Sequence, residues 1–168
     1  IPSSSPPADV ATGPATPLGA SPPRRLRVPS IGVDTELVGL GLQPDGSLEV
    51  PPAAFPVGWY TGGPAPGELG PAVLAGHVDY AGSAGVFADL GDLRPGAQVL
   101  VDRQDGSTAV FRVTRVHQVG KAAFPTAAVY GDLDHAGLRL ITCGGDFSRR
   151  AGSYEDNVIA YAELVESA

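Results

Sequence analysis

The sequence has one cysteine, no methionine and few aromatic residues, which make up 7% of its 168 positions. One cysteine excludes an internal disulfide and by itself says little about the cellular compartment. No apolar run approaches the roughly 20 residues that a helix needs to span a bilayer. The formal net charge of −7 argues against a nucleic-acid partner, because phosphate binding needs clustered lysine and arginine. It also argues against docking on anionic lipid by charge alone.

Glycine and proline are abundant, with 23 and 17 residues, and 43% of the chain is hydrophobic. This composition favours one globular domain of short strands joined by turns. Residues 1–23 contain Pro, Ser, Ala and Thr with a single charge, and we interpret them as a disordered or extended linker. Residues 24–168 form the predicted folded domain. The chain begins at Ile1, so an upstream signal or anchor is compatible with the sequence.

Alternating apolar and polar residues after Arg24 predict two strands and a hairpin-like return through Pro44-Asp45-Gly46. Helical content is predicted to be small, namely one turn around Phe87, Leu90 and Leu93 and a short helix within 122–137. About eight strands with Gly/Pro turns predict an all-β fold, a small closed eight-stranded barrel with short helices. The later strands are predicted at 72–78, 98–102, 108–120, 138–142 and 157–165.

The single thiol, Cys143, lies directly after the strand "LRLIT". A thiol needs a base or a lowered pKa to be a useful nucleophile at neutral pH. Of the three histidines, we interpret His117 as a solvent-facing strand residue and His135 as an exposed turn residue. His77 closes the apolar strand "AVLAG". If the two strands are neighbours, imidazole and thiol meet at one rim of the barrel.

Strand alternation places Arg139, Ile141 and Cys143 on one face, with Leu138, Leu140 and Thr142 on the other. The residues alone leave two alternatives open. A lone cysteine can be a small buried hydrophobic residue, and His77 can be a strand-terminal residue bonded to Asp79.

Two motifs give the sequence a resemblance to a known family. "LRLITC" resembles the TLxTC signature of sortases, and "LAGHVD" resembles their histidine motif. "VPSIGVDTELVGLGLQPDGSLEVP", "VFADLGDLRPGAQVLV" and "YEDNVIAYAELV" are similar to the same family, so the resemblance covers residues 24–168. "GWYTGGPAPGELGPAVLAGHVD" and "CGGDFSRRAGSYEDNV" resemble its actinobacterial class F group.

The resemblance implies an eight-stranded sortase barrel on the outer face of a Gram-positive cell membrane, held by an anchor that is not in this chain. It implies a cysteine transpeptidase that cuts an LPxTG-type sorting signal between Thr and Gly. Cys143 would form a thioacyl enzyme. His77 would protonate the departing amine, then deprotonate the amine of a peptidoglycan precursor. This chemistry needs no cofactor, and we predict no metal site, because Asp132 and Asp134 are typical of a turn.

The family normally supplies a third residue, an arginine on the final strand that steadies the substrate and the oxyanion. In this sequence Asn157 occupies that position. An asparagine amide donates hydrogen bonds but brings no charge. Arg149 and Arg150, in the loop after Cys143, are therefore alternative charge donors, although each can equally be a solvated loop residue.

Six further residues are candidates for binding substrate. Gly144 and Gly145 let a peptide approach the thiol closely, and Asp79 can orient His77. Trp59 and Tyr60 either line the groove or serve as packing anchors. The six candidates are Thr142, Gly144, Gly145, Asp79, Trp59 and Tyr60.

Two other classes of protein are alternatives to a sortase. One is a different Cys–His enzyme, either an L,D-transpeptidase or a papain-like peptidase. "TCGGD" does not match the former, and a papain-like cysteine opens a long helix, whereas Cys143 follows a strand. The other is a non-catalytic β-barrel binding domain with a structural thiol, which predicts an inert cysteine.

Overall fold

A computed structural model describes residues 16–44, 48–49, 51, 56–80, 83–120, 125–143, 147–148, 153–154 and 156–167. Within these ranges, short strands dominate and helix is limited to three short pieces. The helical pieces are the 3-10 turns Pro29–Ile31 and Leu90–Asp92 and the helix α1, Thr126–Tyr130. The strands are β1 (Pro23–Val28), β2 (Val33–Leu40), β3 (Val57–Tyr60), β4 (Gly70–His77), β5 (Asp79–Tyr80), β6 (Ser83–Ala84), β7 (Gln98–Arg103), β8 (Thr108–Gly120), β9 (Ala136–Cys143), β10 (Phe147–Ser148), β11 (Ser153–Tyr154) and β12 (Asp156–Ser167).

Eight of these strands close into a barrel in the order β1-β2-β3-β4-β9-β12-β8-β7. The predicted all-β barrel with short helices is therefore confirmed. Most neighbouring pairs are antiparallel, but β2 runs parallel to β3 and β4 runs parallel to β9. The parallel β4–β9 pair matters most for function, because it brings the carboxyl ends of two strands to the same rim.

Side-chain alternation divides the apolar residues into two layers. One layer, which includes Leu74, Leu138 and Leu140, fills the barrel interior. The second layer lies on the outside of β4, β8, β9 and β12 and includes a residue of α1. We call this layer the outer cluster, and its buried members are Val73, Val119, Val129, Ile141, Ile159 and Tyr161. The predicted alternation along β9 is confirmed, since Leu138 and Leu140 lie inside and Ile141 lies outside.

The hairpin-like return after β2 is smaller than predicted. Asp45 and Gly46 lie outside the described residues. The described residues on either side of the turn form one antiparallel bridge, between Leu42 and Leu48, rather than a further barrel strand. The helical turn predicted around Leu90 is confirmed as the 3-10 turn Leu90–Asp92. In the described part of the chain, no helix has both the length and the apolar character to cross a bilayer.

Residues 18–22, which we call the N-terminal strap, lie against the barrel although the sequence places them in the linker. Leu18 N donates to Gly67 O at 2.7 Å, and Gln104 N donates to Pro22 O at 2.8 Å. The buried Arg103 guanidinium donates to Gly19 O. The contacts of the barrel therefore begin before Arg24, and residues 1–15 of the predicted linker lie outside the described residues.

Candidate active site

His77 and Cys143 are the last residues of two neighbouring strands. β4 and β9 pair in parallel with unbroken register from Gly70↔Ala136 to His77↔Cys143. The condition on which the sequence analysis placed imidazole and thiol at one rim, that these two strands are neighbours, is therefore met. Alternation assigns position 143 to the same outward-facing set as Arg139 and Ile141. The Cys143 thiol lies outside the described part of the structure, so the relationship rests on the backbone register.

Asn157 occupies the same level on the next strand. β12 pairs with β9 through Ile159↔Ile141, so the register places Asn157 beside Cys143, on the side away from His77. The Asn157 amide nitrogen donates to Thr142 O at 2.9 Å. His77, Cys143 and Asn157 therefore form one row across three consecutive strands, which we call the site row.

The His77 ring is largely buried, with 9% of the residue exposed, and its Nε2 lies 2.7 Å from the carbonyl oxygen of Pro51. The His77 carbonyl accepts a hydrogen bond from Phe87 N at 2.9 Å. Behind the histidine, a Cβ at Gly85 would overlap the His77 carbonyl. The backbone and ring of His77 are thus fixed by the β2–β3 connection on one side and by the turn 85–89 on the other.

Thr142 has a structural role rather than the predicted contact with substrate. It is 2% exposed, and its hydroxyl accepts a hydrogen bond from Val158 N at 2.8 Å. Alternation turns its side chain into the barrel, away from the face that carries the site row. We therefore reassign Thr142 to holding the end of β9 against β12.

The two aromatic residues predicted for the site, Trp59 and Tyr60, pack against different layers of the barrel. Trp59 packs against the interior core and donates from Nε1 to Pro64 O at 3.1 Å, so it is a packing anchor. Tyr60 packs against the outer cluster and meets Tyr130 edge to face, with ring centroids 6.1 Å apart. Of this pair, only Tyr60 lies on the face that carries the site row.

Two steps below the site row, the outer face carries an arginine–tyrosine group. The Arg139 guanidinium lies 4.9 Å and that of Arg115 4.4 Å from the Tyr161 ring centroid. Arg139 is buried, and this burial lowers its pKa. Its Nη2 donates to Ala128 O at 3.0 Å, which ties α1 to the barrel and directs the charge toward α1.

Several predicted residues lie outside the described part of the chain. These are Gly144, Gly145, Arg149 and Arg150, together with the carboxyl group of Asp79, whose backbone lies in β5. Within the described ranges, no three His, Cys, Asp or Glu side chains come together as a metal site.

The comparison with known proteins agrees with this geometry. A family profile described as "Sortase domain" matches residues 26–165. The chain belongs to the sortase family. No curated protein matches the chain in a sequence search.

Solved sortase structures share the fold at low sequence identity. Sortase A from Corynebacterium diphtheriae is 20% identical with a TM-score of 0.63, covering 88% of this chain and 63% of that one. Streptococcus agalactiae sortase C1, solved in complex with MTSET, is 19% identical with a TM-score of 0.64, covering 85% and 67%. Listeria monocytogenes sortase A is 17% identical with a TM-score of 0.63, covering 88% and 89%. This sortase therefore spans less than two thirds of the Corynebacterium chain that it matches.

The other two histidines of the sortase lie away from the site row. His117 is exposed on β8, as predicted, and pairs with Ile159. His135 is half-buried rather than exposed: its Nδ1 lies 2.8 Å from Asp134 Oδ1 and its Nε2 3.5 Å from Glu163 Oε2. The hydrogen bond from His135 lowers the pKa of Asp134. Because Gly70, at the start of β4, donates to the His135 carbonyl, His135 is at the opposite end of the barrel from His77.

The sequence did not reveal one contact of the site, the Pro51 carbonyl at His77. A backbone acceptor has no residue-type signature. The available signal was the Pro51-Pro52 pair, which restricts the backbone locally.

Proposed function

We propose that this sortase is a cysteine transpeptidase that cleaves an LPxTG-type sorting signal between Thr and Gly. The observation that carries the proposal is the register of His77 with Cys143 at the ends of two parallel strands. This register brings an acid–base group and a nucleophile to one rim of the barrel. A structural neighbour, the Clostridium perfringens sortase D5, is described as a transpeptidase.

The reaction proceeds in two balanced halves. The Cys143 thiolate attacks the Thr carbonyl carbon, and the tetrahedral intermediate expels the glycine amine, which takes a proton from His77. The acyl group is then held as a thioester on Cys143. An amine of a peptidoglycan precursor attacks the thioester, gives its proton to His77 and releases the thiolate. In the absence of the amine, water takes its place.

The third group of the site is Asn157, and it brings no charge. One N–H of its side-chain amide binds Thr142 O, and the amide carries a second N–H and a carbonyl oxygen. We assign to Asn157 the support of the strand end and a hydrogen bond toward the substrate. Arg149 or Arg150 supplies the positive charge at the oxyanion.

The remaining assignments complete this proposal. Tyr60, Gly144, Gly145 and Asp79 line or shape the site. The sortase is of the class F type found in actinobacteria. It works at the outer face of the cell membrane, with residues 1–15 as part of the linker.

The test is cleavage of a quenched fluorescent LPxTG peptide, with a scrambled peptide as the control. Wild type is compared with Cys143→Ala and His77→Ala, with and without an amine acceptor, and the acyl enzyme is sought by intact-protein mass spectrometry. We expect cleavage and a Cys143 adduct in wild type, and neither in Cys143→Ala. A wild-type protein that cleaves no peptide although its thiol is labelled quickly would contradict the proposed substrate. A Cys143 thiol that no reagent labels would contradict the assignment of the protein as a cysteine transpeptidase.

A further inference from the structure

The β2–β3 connection makes a buried contact with His77. Pro51 is buried, and its carbonyl oxygen lies 2.7 Å from His77 Nε2. A carbonyl oxygen only accepts hydrogen bonds, so Nε2 must carry the hydrogen. In the neutral ring the other nitrogen, Nδ1, then holds the lone pair. The contact therefore corresponds to the neutral tautomer with the hydrogen on Nε2.

The direction of the Pro51 carbonyl is restricted by the local sequence. The pyrrolidine ring of Pro51 holds φ near about −65°. The residue before a proline is also disfavoured in the helical region, and Pro51 precedes Pro52. Few backbone states are available to this carbonyl before the chain folds, so the entropic cost of aiming it at His77 is small.

The segment that carries Pro51 is tied to the end of β2 by Glu49. Glu49 N donates to Gly41 O at 2.9 Å, and Gly41 N donates to Glu49 Oε1 at 2.7 Å. Leu48, next to it, bridges to Leu42 and packs on the outer cluster. We call the reciprocal pair between Glu49 and Gly41 the Glu49 clamp. It lies two residues before Pro51 and ties this segment to Gly41, directly after β2.

We propose that Glu49 is a positioning residue that acts through the Pro51 carbonyl to hold His77 in the Nε2–H tautomer, with Nδ1 as the proton-transfer nitrogen. The carbonyl thereby does what a carboxylate does in a Ser-His-Asp triad, where the third group fixes the tautomer and orientation of the imidazole. The inference rests on the proposed function only in taking His77 as the acid–base group. The tautomer itself is observable without any substrate.

Three variants test the Glu49 clamp. Glu49→Ala removes the acceptor of the Gly41 N–H, whereas Glu49→Gln retains an oxygen at that point. Glu68→Ala is the matched control, because Glu68 makes the same kind of bond: its Oε1 accepts a hydrogen bond from Ala65 N at 2.7 Å. Glu68 lies in the loop that contacts the strap, at the end of the barrel far from His77. We expect Glu49→Ala to lower kcat about tenfold, which corresponds to about 1.4 kcal/mol, with KM nearly unchanged. Glu49→Gln and Glu68→Ala should keep kcat close to wild type.

The second measurement is a long-range ¹H–¹⁵N spectrum of the histidine-labelled protein at a pH where the imidazole is neutral. The His77 signals are assigned by their loss in His77→Ala. We expect wild type to show a protonated Nε2 and an unprotonated Nδ1, and Glu49→Ala to show a tautomer mixture. A wild-type spectrum with the hydrogen on Nδ1, or a Glu49→Ala protein with wild-type kcat and spectrum, would overturn the proposal.

A folding defect in Glu49→Ala would hide the effect, so Pro52→Ala serves as a second variant. It leaves the Glu49 clamp intact and relaxes the pre-proline restriction on Pro51. We expect the same tautomer mixture, and an unchanged spectrum would contradict the proposal. If wild type cleaves no LPxTG peptide yet shows the Nε2–H tautomer that Glu49→Ala loses, the substrate assignment fails and the positioning role stands.

Discussion

The side-chain amide of Asn157 donates a hydrogen bond of 2.9 Å to the carbonyl oxygen of Thr142, the residue directly before Cys143. In return, the Thr142 hydroxyl accepts from Val158 N at 2.8 Å. These two bonds join β9 to β12 beside the nucleophile position. Asn157 therefore combines a supporting role at the strand end with a location in the site row.

Removing the Asn157 amide should reduce both stability and activity. Asn157→Ala loses one hydrogen bond, which costs about 1 kcal/mol of unfolding free energy. We also expect kcat/KM to fall at least about tenfold, because the nucleophile position loses its lateral support and the site loses a donor. Peptide cleavage and chemical denaturation measure the two effects. Wild-type kcat/KM in this variant would restrict Asn157 to a structural role.

Replacing Thr142 should reduce stability but leave peptide cleavage nearly unchanged. Thr142→Val keeps the shape but removes the hydroxyl acceptor, leaving Val158 N–H unpaired, which costs about 1–3 kcal/mol. Since the hydroxyl is buried inside the barrel, activity well below the melting temperature should stay within about threefold of wild type. Denaturant unfolding and the peptide assay measure the pair of effects. A loss of activity as large as that of Asn157→Ala would return Thr142 to the substrate contacts.

The sequence predicted the barrel and the two faces of β9 because both follow from periodicity. Along β9, Leu138, Leu140 and Ile141 alternate between two buried layers, so a pattern of period two was enough to assign their faces. The residues alone left the pairing of β4 with β9 as a condition, and the resemblance of the two closing motifs to sortases implied that His77 and Cys143 share a site. These features depend on side-chain type, which the sequence states directly.

Other features depend on backbone groups or on distant packing, and the sequence did not predict them. The carbonyls of Pro51 and of the strap are backbone acceptors, which any residue type can supply. Trp59 lies in a glycine-rich region that favours a loop, but β3 turns it into the interior core. His135 is half-buried because β12 brings Glu163 to it from a distant part of the chain.

Gly85 should be essential for activity because it packs against His77. A Cβ at Gly85 would overlap the His77 carbonyl, which also accepts the hydrogen bond from Phe87 N. Gly85→Ala should therefore displace the turn 85–89 or His77 and lower kcat/KM by about tenfold or more. Gly91→Ala is the matched control, since a Cβ there would meet nothing within 4 Å. Equal activity of the two variants in the peptide assay would contradict this account.

The Arg27–Asp102 pair should make a pH-dependent contribution to stability. Arg27 Nη2 lies 2.7 Å from Asp102 Oδ1, and its hydrogen bond lowers the pKa of Asp102. Because the pKa of Asp102 is lower in the folded protein, its ionised carboxylate stabilises the fold at pH values above the unfolded-state pKa of about 3.9. This stabilisation is lost as the pH falls below that value.

We expect Asp102→Asn to be less stable than wild type at pH 7, by less than about 1 kcal/mol, because the pair is partly exposed. The difference should disappear as the pH falls through the folded-state pKa of Asp102. Thermal melts of both proteins across this range measure it. A difference that persists unchanged at the acidic end would assign the effect to shape or to Thr108, which also donates to Asp102 at 2.8 Å.

The N-terminal strap should be part of the stable domain although its composition is that of a linker. Arg103 is 2% exposed, and its Nε and Nη1 find no acceptor among the described residues, so the Gly19 carbonyl is its main hydrogen-bond partner. Losing that partner leaves a buried guanidinium poorly paired, which is costly. Removal of residues 1–22 should therefore lower the melting temperature by roughly 5–10 °C.

Removal of residues 1–15 is the control for the strap, because it leaves these contacts in place and should leave the melting temperature unchanged. Both truncations should retain peptide cleavage below their melting temperatures, since the strap contacts the loop at the start of β4 and the site row lies at its end. Equal melting temperatures for the two truncations would show that the strap contributes no stability. Equal stability would also place the domain boundary at Pro23, where β1 begins.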